Sequence, residues 1–190
     1  MDIKKIEKAN TKIIGKKIKY FKEIDSTHKY AKNIAVKQEN NGMLIIAEEQ
    51  TDGMGTKGRT WYTGIDKNIA MTIILKPQCK IDKLEGLTLK IAECMKETLN
   101  ELYQCNLEIK LPNDLMLNNK KICGILTEIN TIAEKINYLL ISLGLNVNEE
   151  QFTEDTKEIA TSLKKEYNKD FEREVIIVKF LEKIEKIELI

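Results

Sequence analysis

Between residues 107 and 147 the chain passes through short apolar segments one after another, and this succession limits the fold more than any other feature. Residues 107–111, 115–117, 122–129 and 136–147 each read as a strand, and the gaps between them leave no room for a helix. Asn118-Asn119 occupies one gap and signals a tight hairpin turn, although Asn-Gly would signal it more strongly. Upstream, residues 16–21, 43–47 and 68–75 add three further strands, the last ended by Pro77. Asp25-Ser26-Thr27 supplies a helix start, because Asp or Ser accepts a hydrogen bond from the first free backbone N–H groups. Tyr30, Ala31, Ile34 and Ala35 give that helix an apolar face. Leu84, Leu87, Ile91, Cys94, Met95, Thr98, Leu99 and Leu102 recur at three- and four-residue steps and mark a long amphipathic helix. Residues 159–167 and 174–187 read as closing helices, the second with Ile176, Ile177, Phe180, Leu181 and Ile184 on one side. Strands in hairpin-like order predict an α+β fold: a mixed, mainly antiparallel sheet with helices packed on one face, not a doubly wound unit.

The size suits one domain, since 190 residues with 42% hydrophobic and 32% charged content can bury a substantial core. Residues 1–15 form a basic lead-in and the first 22 residues carry eight lysines against Asp2 and Glu7. No aromatics alternate with those lysines, so a solvated lead-in is favoured over a nucleic-acid arm, and no specific DNA binding is expected. The four cysteines lack C-x-x-C spacing and there is no signal peptide, which fits reduced thiols in a cytoplasmic protein and no zinc site. The single histidine, His28, is read as a surface or capping residue, and no apolar run is long enough to span a membrane.

Chemistry concentrates in four segments. Gly53-Met54-Gly55-Thr56-Lys57-Gly58-Arg59-Thr60-Trp61 follows a strand in a stretch almost free of aliphatics. Its glycines permit positive φ and a close approach to ligand, Lys57 and Arg59 add charge, and Trp61 adds a flat apolar wall. It opens into no helix and lacks a G-K-[ST] ending, so neither a dinucleotide fingerprint nor a P-loop applies. In Lys110-Leu111-Pro112-Asn113-Asp114 the proline halts a strand and presents a lysine and a carboxylate at its end, a composition equally good for a plain turn. Lys120-Lys121-Ile122-Cys123-Gly124 leads a lysine into an apolar strand with a glycine where backbone can meet ligand, or is simply a hairpin with solvated lysines. Cys123 alternates with buried positions and reads as packing rather than as a nucleophile. Gly144-Leu145-Asn146-Val147-Asn148 offers amides at a strand end.

The order of these segments is more specific than any one of them. Glu23–Thr27, Ala47–Gln50 with the glycine loop and Trp61, Lys110–Asp114, Lys121–Glu128, Gly144–Asn148 and Ala160–Leu163 together resemble the biotin protein ligases over residues 16–165. The resemblance implies an ATP-dependent, acyl-adenylate-forming enzyme. Biotin and ATP would be its substrates, with Mg2+, and the biotinyl group would pass to a lysine of a biotin carboxyl carrier domain. It also implies roles. Ser26, Thr27, Gln50, Gly53, Gly55, Lys121 and Gly124 would bind biotin. Gly58, Arg59, Trp61, Asn113 and Asn146 would bind ATP or the adenylate. Lys121, Arg59, Lys110 and Asp114 would carry the chemistry. No metal site of the protein's own is expected, and a homodimer is compatible with the family. A lipoate or octanoate ligase or transferase of the same fold is the enzymatic alternative, and a non-catalytic biotin- or adenylate-binding remnant is the other.

Three departures from the family pattern stand out. Met54 and Thr56 occupy positions where the G-R-G-R-x-G-R loop has arginines, the second of which helps to retain the acyl-adenylate, so leakage of the intermediate is expected. Leu111 stands where Trp is usual. Residues 16–190 are read as the catalytic domain alone, without the small C-terminal β-barrel and without an N-terminal helix-turn-helix.

Overall fold

The computed structural model describes residues 1–187; the side chain of Lys57 and the last three residues lie outside the described set. The charge attributed to Lys57 and the final residues of the 16–190 stretch therefore fall beyond it. The elements run α1 (Ile3–Ile6), β1 (Ile18–Ile24), α2 (Thr27–Ile34), β2 (Leu44–Gln50), β3 (Ile69–Leu75), α3 (Leu87–Tyr103), β4 (Glu108–Lys110), β5 (Asp114–Leu117), β6 (Lys120–Ile132), β7 (Lys135–Leu145), α4 (Leu163–Tyr167) and α5 (Arg173–Ile184). The strands form a seven-stranded sheet in the order β1-β2-β3-β7-β6-β5-β4. Only β1 and β2, which flank α2 in sequence, pair in parallel; the other neighbours are antiparallel. The α+β class and the mixed, mainly antiparallel sheet thus hold.

The strand alternation sorts side chains onto two faces. On one face Leu44, Ile46, Ile69, Met71, Ile73, Leu139, Ile141, Leu143 and Leu145 meet α1, α3 and α5 in the main core. Helix α2 departs from the one-face arrangement. Its Ala31 and Ala35 pack with Ile45, Ile74, Tyr138 and Leu140 on the opposite face. The parallel β1–β2 pair requires the intervening helix to cross the sheet, and β2 and β3 have apolar residues on both faces to receive it.

The amino-terminal residues are not a solvated arm. Ile6, Ala9 and Ile14 are fully or almost fully buried against α5 and its neighbours. The lysines between them stay outside, so the charge excess hid a short apolar pattern. Two predicted helix boundaries also move. Leu84 belongs to a 3-10 turn over Ile81–Leu84 that precedes α3. Residues 159–161 are not helical, because Lys121 pairs with Ala160 in a parallel bridge and their backbone hydrogen bonds go there. Helix α4 starts only after Ser162, whose hydroxyl accepts from Lys165 N at 3.0 Å.

Candidate active site

Beyond the end of the α2 core, the same sheet face stops being aliphatic. Thr72 of β3 lies across from Ser142 of β7, and Gly144 of β7 lies across from Gly124 of β6. Here, at the amino terminus of α2, a small pocket is lined by Ser26, Thr27, Gln50, Met71, Asn113, Lys121, Gly124 and Leu143, among others. Its polar end is prearranged. Ser26 caps α2, and Gln50 Oε1 accepts from Thr27 N at 2.9 Å while standing 3.0 Å from Thr27 Oγ1. Gln50 Nε2 donates to Thr63 at 3.3 Å, which fixes the amide's orientation. A second, wider cavity is lined by Arg59, Tyr62, Asn146, Phe152, Thr156 and Ile159. The two share a wall made of Gly55, Thr56, Trp61 and Lys121.

The glycine segment is a folded loop. Gly55 N donates to Arg59 O at 2.7 Å and Trp61 N to Gly53 O at 2.8 Å, with a 3-10 turn over Thr56–Gly58 at the tip. Only Gly58 of the three uses a positive φ, at 71°. Gly53 is needed for space instead, since a Cβ there would lie 2.4 Å from Trp61 O. The loop lays the Trp61 indole flat on the β6–β7 glycine pair. A Cβ on Gly144 would come within 2.2 Å of Trp61 Cε2, and one on Gly124 within 2.9 Å of Trp61 Cζ3. Trp61 Nε1 is buried there without a hydrogen-bond partner. Arg59 turns back along the loop, and its Nη2 donates to Thr56 Oγ1 at 3.2 Å.

Lys121 is the cation between the two cavities. Its backbone is held on both sides, N donating to Ile159 O at 2.8 Å and O accepting from Thr161 N at 2.9 Å. Its ammonium lies 2.7 Å from Asp114 Oδ1 and 5.4 Å from the centre of the Trp61 ring. The Asp114 contact is an ion pair between two partly buried side chains. The β5–β6 register sets Asp114 opposite Gly124, which is what brings carboxylate and lysine together. Asn113 is spent on structure: Nδ2 donates to Ile125 O at 2.9 Å and its own carbonyl accepts from Ile125 N at 3.0 Å. Asn146 likewise donates from Nδ2 to Thr161 O at 3.0 Å while facing the second cavity.

Most of the residues singled out in the sequence thus converge: Ser26, Thr27, Gln50, Gly53, Gly55, Trp61, Asn113, Asp114, Lys121, Gly124 and Asn146 surround or support the two cavities. Arg59 is exposed but lines the second cavity, whereas Gly58, exposed at the loop tip, lines neither. Lys110 is not brought in; it is exposed at the end of β4 and lines neither cavity. Other features of the site carried no usable sequence signal. Gly144 stood in a segment the sequence singled out, but its pairing with Gly124 comes only from the β6–β7 register. Ser142, Thr72 and His28 meet in a buried hydrogen-bonded group, so His28, 3% exposed, is neither a surface nor a capping residue. Cys123 points into the main core and is fully buried, and burial pushes its thiol far above the ordinary range, which removes it as a nucleophile.

Among the described residues no group of three or more His, Cys, Asp or Glu side chains is placed to hold a metal ion, and no helix is long and apolar enough to cross a membrane. A model of the biotin/lipoate A/B protein ligase family matches residues 20–148. The bifunctional ligase/repressor BirA of Bacillus subtilis is 32% identical over 178 residues, which cover 93% of this chain and 55% of that protein. This chain therefore spans about half the length of that curated relative. The structure of the biotin protein ligase of Aquifex aeolicus in complex with biotin and ATP superposes with a TM-score of 0.79 at 29% identity, covering 91% of this chain and 70% of that one. That of the Leishmania major enzyme in complex with biotinyl-5-AMP gives 0.73 at 25% identity, covering 90% and 75%. With its sheet order, its paired cavities and the match across residues 20–148, the chain belongs to the biotin/lipoate A/B protein ligase family.

Proposed function

We propose that this chain activates biotin with ATP to biotinyl-5′-AMP and passes the biotinyl group to a lysine of a biotin carboxyl carrier domain. The observation that carries this reading is the position of Lys121 in the wall between a small pocket with one polar end and a wider neighbouring cavity. The small pocket suits a compact ring system. Thr27, Gln50 and Ser26 offer acceptors and donors to a cyclic urea, while Met54, Trp61 and Leu126 offer apolar surface to the rest of it. The wider cavity, with Phe152 and Ile159 beside Asn146, suits a nucleotide.

Two anions must be brought together for a carboxylate oxygen to attack the α-phosphorus and expel pyrophosphate. A fixed ammonium between them lowers that cost, and it is worth more in a site from which water is excluded. Lys121 would leave Asp114 for the substrate carboxylate, and then stay with the acyl-phosphate oxygen. The carrier lysine's amine would next attack the acyl carbon, and AMP would leave with the electron pair of the broken C–O bond. No covalent bond to the protein is needed. Once Lys121 turned to the substrate carboxylate, Asp114 would be free to help hold a divalent cation carried chiefly by nucleotide phosphates, since Mg2+ takes one or two carboxylates and keeps its remaining ligands as phosphate or water. Such an ion supplies charge neutralisation at the phosphates.

The four free cysteines fit a reducing, cytoplasmic setting. The test is pyrophosphate release from the purified chain with ATP, Mg2+ and biotin, with lipoate and octanoate in parallel reactions. Biotin-dependent release supports the reading. Release with lipoate or octanoate alone would reassign the substrate, and none with any acid would leave a binding remnant.

A further inference from the structure

Ala160–Leu163, one of the segments that mark the sequence resemblance, has a structural part that the proposed chemistry leaves unused. The run from Glu150 to Ala160 is mostly exposed, Ile159 at 63%, and it ends abruptly at Thr161, Ser162 and Leu163, all fully buried. These residues form a strap across the start of β6 and the end of β7. On the β6 side, Ile159 O accepts from Lys121 N at 2.8 Å and Thr161 N donates to Lys121 O at 2.9 Å. On the β7 side, Thr161 O accepts from Asn146 Nδ2 at 3.0 Å, and Lys164 N donates to Val147 O at 2.9 Å. Thr161 thus holds two site residues at once. Its N–H fixes the backbone of the cation between the cavities, and its carbonyl fixes an amide in the wall of the wider one.

The Thr161 side chain is itself held. Its hydroxyl donates to Glu166 Oε1, and Asn118 Nδ2 donates to the other oxygen, Oε2, at 2.5 Å. Glu166 lies on α4, whose cap is Ser162, so the helix start places the carboxylate beside the hydroxyl it receives. Asn118 belongs to the turn between β5 and β6. One carboxylate therefore grips the start of β6 from two directions, through the turn that leads into it and through the strap beside it. Hydrogen bonds to an ionised acceptor are roughly twice as strong as those between neutral groups, and here two donors from separate segments share one such acceptor. Lys121 sits between the two grips, three residues after Asn118 and bonded to the strap at both its N–H and its C=O. The main chain that carries the ammonium is fixed, while the side chain stays free to leave Asp114 for a ligand.

We infer that Thr161 and Glu166 are positioning residues for the adenylation step, acting through the backbone of Lys121 and the amide of Asn146. Neither residue lines either cavity, so their effect is on where other groups stand. The ammonium has to meet a carboxylate and an α-phosphate at one point, and an error of about 1 Å in such a placement costs on the order of a hundredfold in rate. A loosened strap is therefore felt in the chemical step more than in the binding of either substrate. This rests on the reading of Lys121 as the cation at the reacting anions.

Pyrophosphate release with ATP, Mg2+ and biotin is measured for the native chain, Thr161→Val, Thr161→Ser, Glu166→Ala and the Thr161→Val/Glu166→Ala double variant. Calorimetry with biotin counts the binding-competent molecules in each sample, and all assays run well below the unfolding midpoint. Val keeps the branched shape of Thr161 and removes the hydroxyl. Glu166 is only half-buried, so Glu166→Ala carries the test should Thr161→Val fail to fold. Thr161→Val and Glu166→Ala should each lower kcat per biotin site by about ten- to a hundredfold, with KM for biotin and ATP changed by no more than about threefold. The double variant loses no more than the worse single one, as for residues that act as a unit. Thr161→Ser, which keeps the hydroxyl, retains most of the native rate. A merely structural role would lower the number of biotin sites and leave the rate per site unchanged. That result, losses that multiply in the double variant, or a Thr161→Ser as slow as Thr161→Val overturns the inference. A native chain without biotin-dependent release would instead overturn the reading of Lys121.

Discussion

At the scale of single residues, the site depends on where side chains are missing as much as on where they are present. Gly124 and Gly144 together make a bare patch of sheet, and Trp61 lies on it because no Cβ intervenes. Gly144→Ala should therefore displace the indole. Because Trp61 is the sole tryptophan, its emission maximum should shift to the red as the ring gains solvent, and biotin affinity should change with it. Overpacking of this kind costs about 1–3 kcal/mol, measurable by denaturant titration. An unchanged emission spectrum would refute the stacking. Thr56 is the second residue to test. It lines both cavities and holds the Arg59 guanidinium at the loop tip, in the place where the family pattern has an arginine. Thr56→Arg should slow the escape of biotinyl-5′-AMP, read as a lower rate of free adenylate appearing during turnover without a carrier. An equal or faster rate would show that Thr56 does not govern retention.

At the scale of elements, the amino terminus, the sheet and α5 are tied by one buried carboxylate. Glu48 of β2 is 2% exposed and accepts from Arg173 at the start of α5, from Tyr20 Oη at 2.8 Å and from the Met1 ammonium at 2.8 Å. Burial alone would push the Glu48 carboxyl up, but these three hydrogen bonds outweigh it and hold the group below its ordinary range. Removing one donor leaves part of that charge unanswered. Arg173→Met should cost about 3–5 kcal/mol, the range for breaking a buried pair from one side, and lower the midpoint of thermal unfolding. If Arg173→Met were neutral, the anchoring of α5 would rest on its apolar face of Ile176, Ile177, Phe180 and Leu181 alone.

At the scale of the whole molecule, acid should act through the same kind of group. Glu48 and Glu128 both sit below the ordinary carboxylate range, Glu128 because hydrogen bonds from Lys32 and His28 overcome its burial. Each contributes stability that is fully present above the unfolded value of about 4.3 and is lost as pH falls through the depressed folded value. Denaturant midpoints should thus drop below that pH, and Glu48→Gln should flatten the drop. Thiol reactivity gives a second global readout. Cys105 and Cys123 are buried and burial raises both thiols, while Cys94 is pushed up to about 11, chiefly by burial and further by Glu97. These three should react with a thiol reagent only on unfolding, seen as slow labelling in buffer and fast labelling in denaturant. Rapid native labelling of Cys123 would reopen a transferase chemistry.

The sequence alone determined what depends on local pattern. Periodicity placed the strands and long helices, and Asn118-Asn119 named its turn, both residues taking positive φ as hairpins require. The order of segments singled out Gln50, the glycine loop, Lys121 and Gly124. The Ala133-Glu134 turn between β6 and β7 also has positive φ at both residues, yet neither residue type announces it; the long strand pair enforces it. Only the tertiary structure decided the partners. It set α2 on the far face, left Lys110 outside, joined Asp114 to Lys121 through the β5–β6 register, and buried His28 between Ser142 and Glu128. Register and layer order are properties of paired strands far apart in the chain, so no single segment contains them.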